Sequence, residues 1–183
     1  MKNLKRTGSI HAISLAEFKL NEFTTQHGTI IFDGSKGGNI SNSLIYNVGH
    51  QNFGHIDIYI DKTLKTINSI WFVSLKSEVL FHKPNLTVPK INKFKIPFFD
   101  TNIWELATDD LFPRIRNEKS VEVYHNGKDC IHISFGENHV ISPINDKIYF
   151  QYDKNDSLSG FIIHDTIEVS NLIDLLTQSY NSQ

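Results

Sequence analysis

From Val121 to Phe135 the chain reads "VEVYHNGKDCIHISF", two β-rich runs separated by Asn-Gly. No other stretch limits the fold so sharply. A two-residue type I′ hairpin needs positive φ at both central positions, and Asn126-Gly127 is the pair that tolerates it best. The expected register sets His125 opposite Lys128, His132 opposite Val121 and Cys130 opposite Val123. His125 and His132 then lie four residues apart along the ladder, about 13 Å, too far for one metal ion to bridge. Evenly spaced His125, His132 and His139 therefore read as ordinary strand residues.

A second hairpin is expected from "KIYFQYDKNDSLSGFII" at 147–163 and a related one from "HIDIYIDKTLKTINSIWF" at 55–72. The Asp153-Lys154-Asn155-Asp156-Ser157 centre has some oxygen ligands of a calcium loop. Its sixth position is Leu158 rather than glycine, and its twelfth is His164 rather than a bidentate glutamate, so a tight turn is expected. Leu158 and Leu64 are expected to point back into the core. Further strands are expected from "HGTIIFDG" and "SLIYNVGH". The Pro- and Lys-rich "FHKPNLTVPKINKFKIPFF" reads as an extended connection across the surface.

Three helices complete the expectation. "SLAEF" has serine three residues before glutamate, a capping-box pattern that predicts a helix from about Leu15 to Phe23. "TNIWELATDDLF" predicts a second, capped by Thr101 and stopped near Phe112 by Pro113. "VSNLIDLLTQSY" predicts a third, with Ser170 as N-cap and Leu172, Leu175, Leu176 and Ser179 on one stripe. The fold class expected is α+β: mostly antiparallel sheet with three flanking helices, in a single domain spanning 1–183. The order helix, strand, glycine turn, strand, hairpin occurs twice, and Asp61-Lys62 and Asp153-Lys154 are 92 residues apart in the numbering. That order suggests a tandem duplication of a helix-plus-strands unit, with halves 1–95 and 96–183.

At 183 residues the chain can bury a sizeable core without staples. Its one cysteine, Cys130, excludes an intrachain disulfide and a multi-cysteine zinc site, and fits a small buried apolar role. No apolar run is long enough for a bilayer, and no signal peptide is read at the N-terminus, so a cytoplasmic location is expected. The formal net charge is −2, which points to neither nucleic acid nor membrane as partner. Fifteen lysines against three arginines disfavour bidentate phosphate or guanine recognition. "GSKGG" at 34–38 lacks the order of a phosphate loop. No cofactor is expected.

Two candidate sites remain. "GHQNFGHID" offers His50, His55 and Asp57 as metal ligands, or as a base with its orienting partner, in a metal-dependent hydrolase-like enzyme. The alternation in "HIDIYID" sets His55, Asp57, Tyr59 and Asp61 on one face and Ile56, Ile58 and Ile60 on the other. The second candidate is the acidic end of the chain. From Asp129 onward there are eight acidic residues and two lysines. Asp146, Asp153, Asp156, Asp165 and Glu168 fall near hairpin and helix ends, where carboxylates steer a basic partner.

In "KIYFQYDKNDSLSGFII" and this acidic tail, the second half resembles in type the small immunity proteins of bacterial polymorphic-toxin and contact-dependent inhibition systems. Those families share no diagnostic motif, and no residue is carried over from them. The resemblance implies a non-catalytic, stoichiometric inhibitor that covers the active site of a basic toxin domain.

Overall fold

The computed structural model describes residues 3–11, 17–20, 27–33, 42–50, 52–73, 75–91, 95–105, 113–144, 147–164 and 169–174. Fourteen strands run through them: β1 (Arg6–His11), β2 (Glu17–Leu20), β3 (His27–Asp33), β4 (Ser43–His50), β5 (Gly54–Asp61), β6 (Ile67–Val73), β7 (Leu80–His82), β8 (Lys95–Phe99), β9 (Arg114–Asn117), β10 (Glu122–His125), β11 (Cys130–Ser134), β12 (Val140–Pro143), β13 (Ile148–Tyr152) and β14 (Leu158–His164).

The α+β expectation is overturned, because the protein is mostly β. In place of the helix expected from Leu15 to Phe23, Glu17–Leu20 pairs antiparallel with β3, Glu17 opposite Asp33 and Leu20 opposite Ile30. Glu-Phe-Lys-Leu alternates with a period of two, and sheet pairing outweighs the weak local preference of a capping box. Of the second helix, a 3-10 turn at Asn102–Trp104 is present, without a side-chain cap from Thr101. Residues 106–112 lie outside the described set. A short helix does cover 169–174. Ser170 is inside it rather than at its cap, Leu172 is buried, and Leu175, Leu176 and Ser179 lie outside the described residues.

The strands form two six-stranded sheets and a two-stranded one. Sheet one has the order β2-β3-β6-β5-β4-β9, sheet two β12-β13-β14-β11-β10-β7, and β1 pairs with β8. A helix-plus-strands repeat is therefore not what the molecule contains. What the large sheets share is a five-strand path. A hairpin (β2–β3, or β10–β11) is followed by a three-strand meander (β4–β5–β6, or β12–β13–β14). The meander's last strand then pairs antiparallel with the hairpin's second strand. Each sheet gains a sixth, parallel strand from across the chain: β9 beside β4, and β7 beside β10.

One apolar core is lined by both sheets. Leu44, Tyr46, Val48, Ile56, Ile58, Ile60 and Phe72 come from sheet one, and Val123, Ile131, Ile133, Phe150, Phe161 and Ile163 from sheet two. Phe99 of β8 stacks near Phe150, whose ring in turn meets Phe161 edge-on. A smaller cluster lies on the outer face of sheet two, where Leu86 and Val88 pack over Cys130, Tyr149 and Ile162. The Pro- and Lys-rich connection thus covers that face, and Cys130 fills the small apolar role expected of it.

The hairpin register differs from the expected one. Only Gly127 of the Asn-Gly pair has positive φ (+78°), and His125 lies opposite Ile131, with His132 opposite Tyr124. Cys130 faces His164. Asn126 explains the shift. Its side-chain oxygen accepts the N–H groups of Lys128, Asp129 and Cys130 at 3.0, 3.0 and 3.1 Å. A polar cap that satisfies three backbone donors favours a longer loop than a two-residue turn.

Gly160 of β14 is the tightest point of sheet two. A Cβ there would collide with the Ile133 carbonyl oxygen and stand 2.6 Å from Gln151 Oε1. Gly160→Ala is expected to lower unfolding free energy by about 1–3 kcal/mol. Gly8→Ala, which would meet nothing nearer than 3.9 Å, is the control expected to change little. Urea midpoints measure both, and an unaffected Gly160 variant contradicts the close approach of β14 to β11.

Candidate functional site

The alternation expected for β5 holds. Ile56, Ile58 and Ile60 face the core, and His55, Asp57 and Tyr59 take the outer face of sheet one. There Asp57 is buried, 5% exposed. Asn47 of the neighbouring β4, directly opposite in register, donates to Asp57 Oδ1 at 2.7 Å. Arg114 on β9 approaches Oδ2 at 3.5 Å, and His55 Nε2 stands 3.8 Å from Oδ1. Beside them Tyr59 packs on Trp71, ring centroids 5.1 Å apart. Burial raises the Tyr59 pKa, the Asp57 charge raises it further, and Arg114 works against both.

His50 does not join this group. It lies seven residues after Ser43 on β4, in phase with Leu44, Tyr46 and Val48 of the core face and out of phase with Asn47. Its Nδ1 accepts the Asn52 N–H at 3.3 Å, and its ring leans toward Phe53. No trio of His, Cys, Asp and Glu suited to a metal ion occurs among the described residues. The outer-face cluster is a carboxylate held by an amide and a guanidinium, with one imidazole at its margin.

The acidic residues of the second half divide. Asp146, Asp165 and Glu168 lie outside the described residues. Asp153 and Asp156 sit in the β13–β14 turn, and both have partners inside the molecule. Asp153 Oδ1 accepts the N–H groups of Asn155 and Ser157 at 2.8 and 2.9 Å. Asp156 adopts φ +58° and pairs with Arg6 at 2.5 Å while remaining more than half exposed. The turn expected in place of a calcium loop is therefore what the structure has. The β5–β6 turn uses the same device, Asp61 Oδ1 accepting from Thr63 and Leu64, each at 2.7 Å. It is one residue longer, closing on Thr66. Leu158 consequently enters the core, whereas Leu64 stays at the tip, 49% exposed, against the expectation that both turn inward.

Arg6 also lies over the Tyr152 ring, 4.3 Å from its centroid. Burial pushes the Tyr152 phenol far above its ordinary pKa, and its hydroxyl has no hydrogen-bond partner among the described residues.

A further cluster was not legible in the sequence. It lies on the outer face of sheet two, toward the β7 edge. Phe81 is 40% exposed and stacks with Tyr124 at 5.4 Å. Lys83 stands over the Tyr124 ring at 5.3 Å, and the Tyr124 hydroxyl donates to Glu122. The Tyr124 pKa is raised, chiefly by that bond to Glu122. Next in the row is His132, 6.0 Å from Tyr124, with Nε2 2.5 Å from Gln151 Oε1. Gly160 makes this contact possible, because Gln151 reaches across β14 where no side chain intervenes. Burial lowers the His132 pKa, the Gln151 bond opposes that, and Lys83 lowers it again. The parallel pairing of β7 with β10 creates this surface, and periodicity carries no signal for a pairing between segments so far apart in the chain.

No protein-family model matches the chain, and a search of curated proteins finds no match.

The orphaned Tyr152 hydroxyl gives a direct check on the turn region. Tyr152→Phe is expected to leave stability unchanged or raise it by about 1 kcal/mol, since a buried unpaired hydroxyl is itself destabilising. A loss beyond about 1 kcal/mol in thermal or urea unfolding would show that the hydroxyl is bonded.

Proposed function

We propose that this chain is a non-catalytic protein-binding module of the immunity type. It acts in the cytoplasm and neutralises a basic toxin domain by stoichiometric binding. The observation that carries this reading is the aromatic pair of exposed Phe81 and half-buried Tyr124, set on a sheet face beside Lys83, Glu122 and His132. Tyrosine and phenylalanine rings ringed by polar groups are the composition of interface hot spots. A basic partner suits the acidic end of the chain, whose turn presents Asp156 to solvent. Such carboxylates act mainly on the rate of encounter and on its salt dependence.

Asp153 holds its turn together, so its replacement mixes folding with binding. Asp156 and the aromatic pair are the informative positions. Where a toxin-sized reading frame lies immediately upstream, its product is the partner to test. The two proteins are expected to form a one-to-one complex that abolishes the toxin's activity. Phe81→Ala and Tyr124→Ala are each expected to weaken it by more than about tenfold, mostly through faster dissociation. Asp156→Lys is expected to slow association and flatten its dependence on salt. Surface plasmon resonance at two salt concentrations measures all three. The absence of a complex, or one indifferent to both aromatic substitutions, contradicts this reading.

A further inference from the structure

On the core-side parity of the same two strands, below the level of Phe81 and Tyr124, lies a pair of histidines. His82 ends β7 directly opposite His125 of β10 in the parallel ladder, and their ring centroids are 5.4 Å apart. Two imidazoles sharing one divalent ion bind it at about 2.0–2.1 Å per nitrogen, which sets their ring centres roughly 5 Å apart. The observed ring spacing is close to that value.

Two other observations point to a ligand. His125 Nδ1 is buried and has no hydrogen-bond partner among the described residues. Buried ring nitrogens are normally satisfied, and a neutral imidazole nitrogen without a proton is a metal donor. The second concerns access. His82 is exposed, and Gly127, at φ +78°, places no side chain beside it. A Cβ at Gly127 would stand 3.4 Å from His82 Nε2. With glycine at 127, no side chain packs against that edge of the exposed His82 ring.

We propose that His82 and His125 form a two-imidazole site for a borderline divalent transition ion, such as copper(II), nickel(II) or zinc(II), with water in the remaining positions. Two protein ligands make an exchangeable site rather than a structural one. The ion would join β7 to β10 across a ladder of three residue pairs. It would thereby fasten β7, a strand from the first part of the chain, to sheet two. The order of affinities follows ligand preference, copper(II) tightest.

Copper(II) alone, added to the full-length protein, is the probe. Calorimetry is expected to show one tight equivalent, and electron paramagnetic resonance two nitrogen donors. His82→Gln, at an exposed position that leaves folding intact, is expected to lower affinity at least about tenfold and to remove one nitrogen from the spectrum. His125→Gln should do the same, and His139→Gln should change neither. Copper should raise the melting temperature of the native protein and not that of His82→Gln. The proposal is overturned if no tight equivalent binds, if copper spreads over several sites of similar strength, or if His82→Gln keeps the native affinity and spectrum.

Discussion

Each large sheet is completed by a strand that neighbours the other sheet in sequence. β7 leaves sheet one after β6 and lies down beside β10. β9 precedes β10 and lies down beside β4. Parallel neighbours need long crossover connections, and in this chain the crossovers are the segments that tie the two sheets together. Ile115 of β9 is buried in the common core, and Leu80, just before the exposed Phe81, packs against it. Neither sheet is whole without a segment of chain that the other sheet holds at its far end. Burial of the facing isoleucines and phenylalanines supplies the driving force, and the exchanged strands make that burial common to both sheets.

Side chains that bond to their own turns decide which residues meet on the outer faces. Asp61, Asp153 and Asn126 each hold a loop by accepting backbone N–H groups. Because side chains alternate, an odd shift in register changes the face on which a residue lies. The Asn126 loop sets His132 beside Tyr124, while the parallel β7–β10 ladder brings His125 level with His82. Had the chain made the two-residue turn, His132 would lie opposite Val121 and away from Tyr124. Gly160 plays the complementary part, since its missing side chain is the gap through which Gln151 reaches His132. The surface chemistry of sheet two is thus a consequence of a few backbone contacts.

The strands were readable where the chemistry was local. The alternation of β5, the two Asp-led turns and the buried role of Cys130 all follow from residue type and spacing. The helix expected from Leu15 to Phe23 was not, whereas the last of the three is present at 169–174. A capping box and a threonine before an apolar run are worth about 1 kcal/mol each, less than a strand gains by pairing along a sheet. For the sites, the face shared by His55 and Asp57 was legible, but the exclusion of His50 from it needed the phase of β4. Asp153 and Asp156 were visible as acidic residues near a hairpin end. Their internal partners were not, because Arg6 is 150 positions away. The Phe81, Tyr124 and His82 surface depends wholly on a parallel pairing that no pattern in the sequence announces.

If the exchanged strands and the common core bind the two sheets into one unit, both must open together. Native-state hydrogen exchange at increasing denaturant reads this directly. The slowest amides of Ile58 in β5 and Phe161 in β14, in central strands of the two sheets, are expected to converge on one free energy and one denaturant dependence. Exchange through separate openings, with one sheet several kcal/mol less protected than the other, would contradict the account.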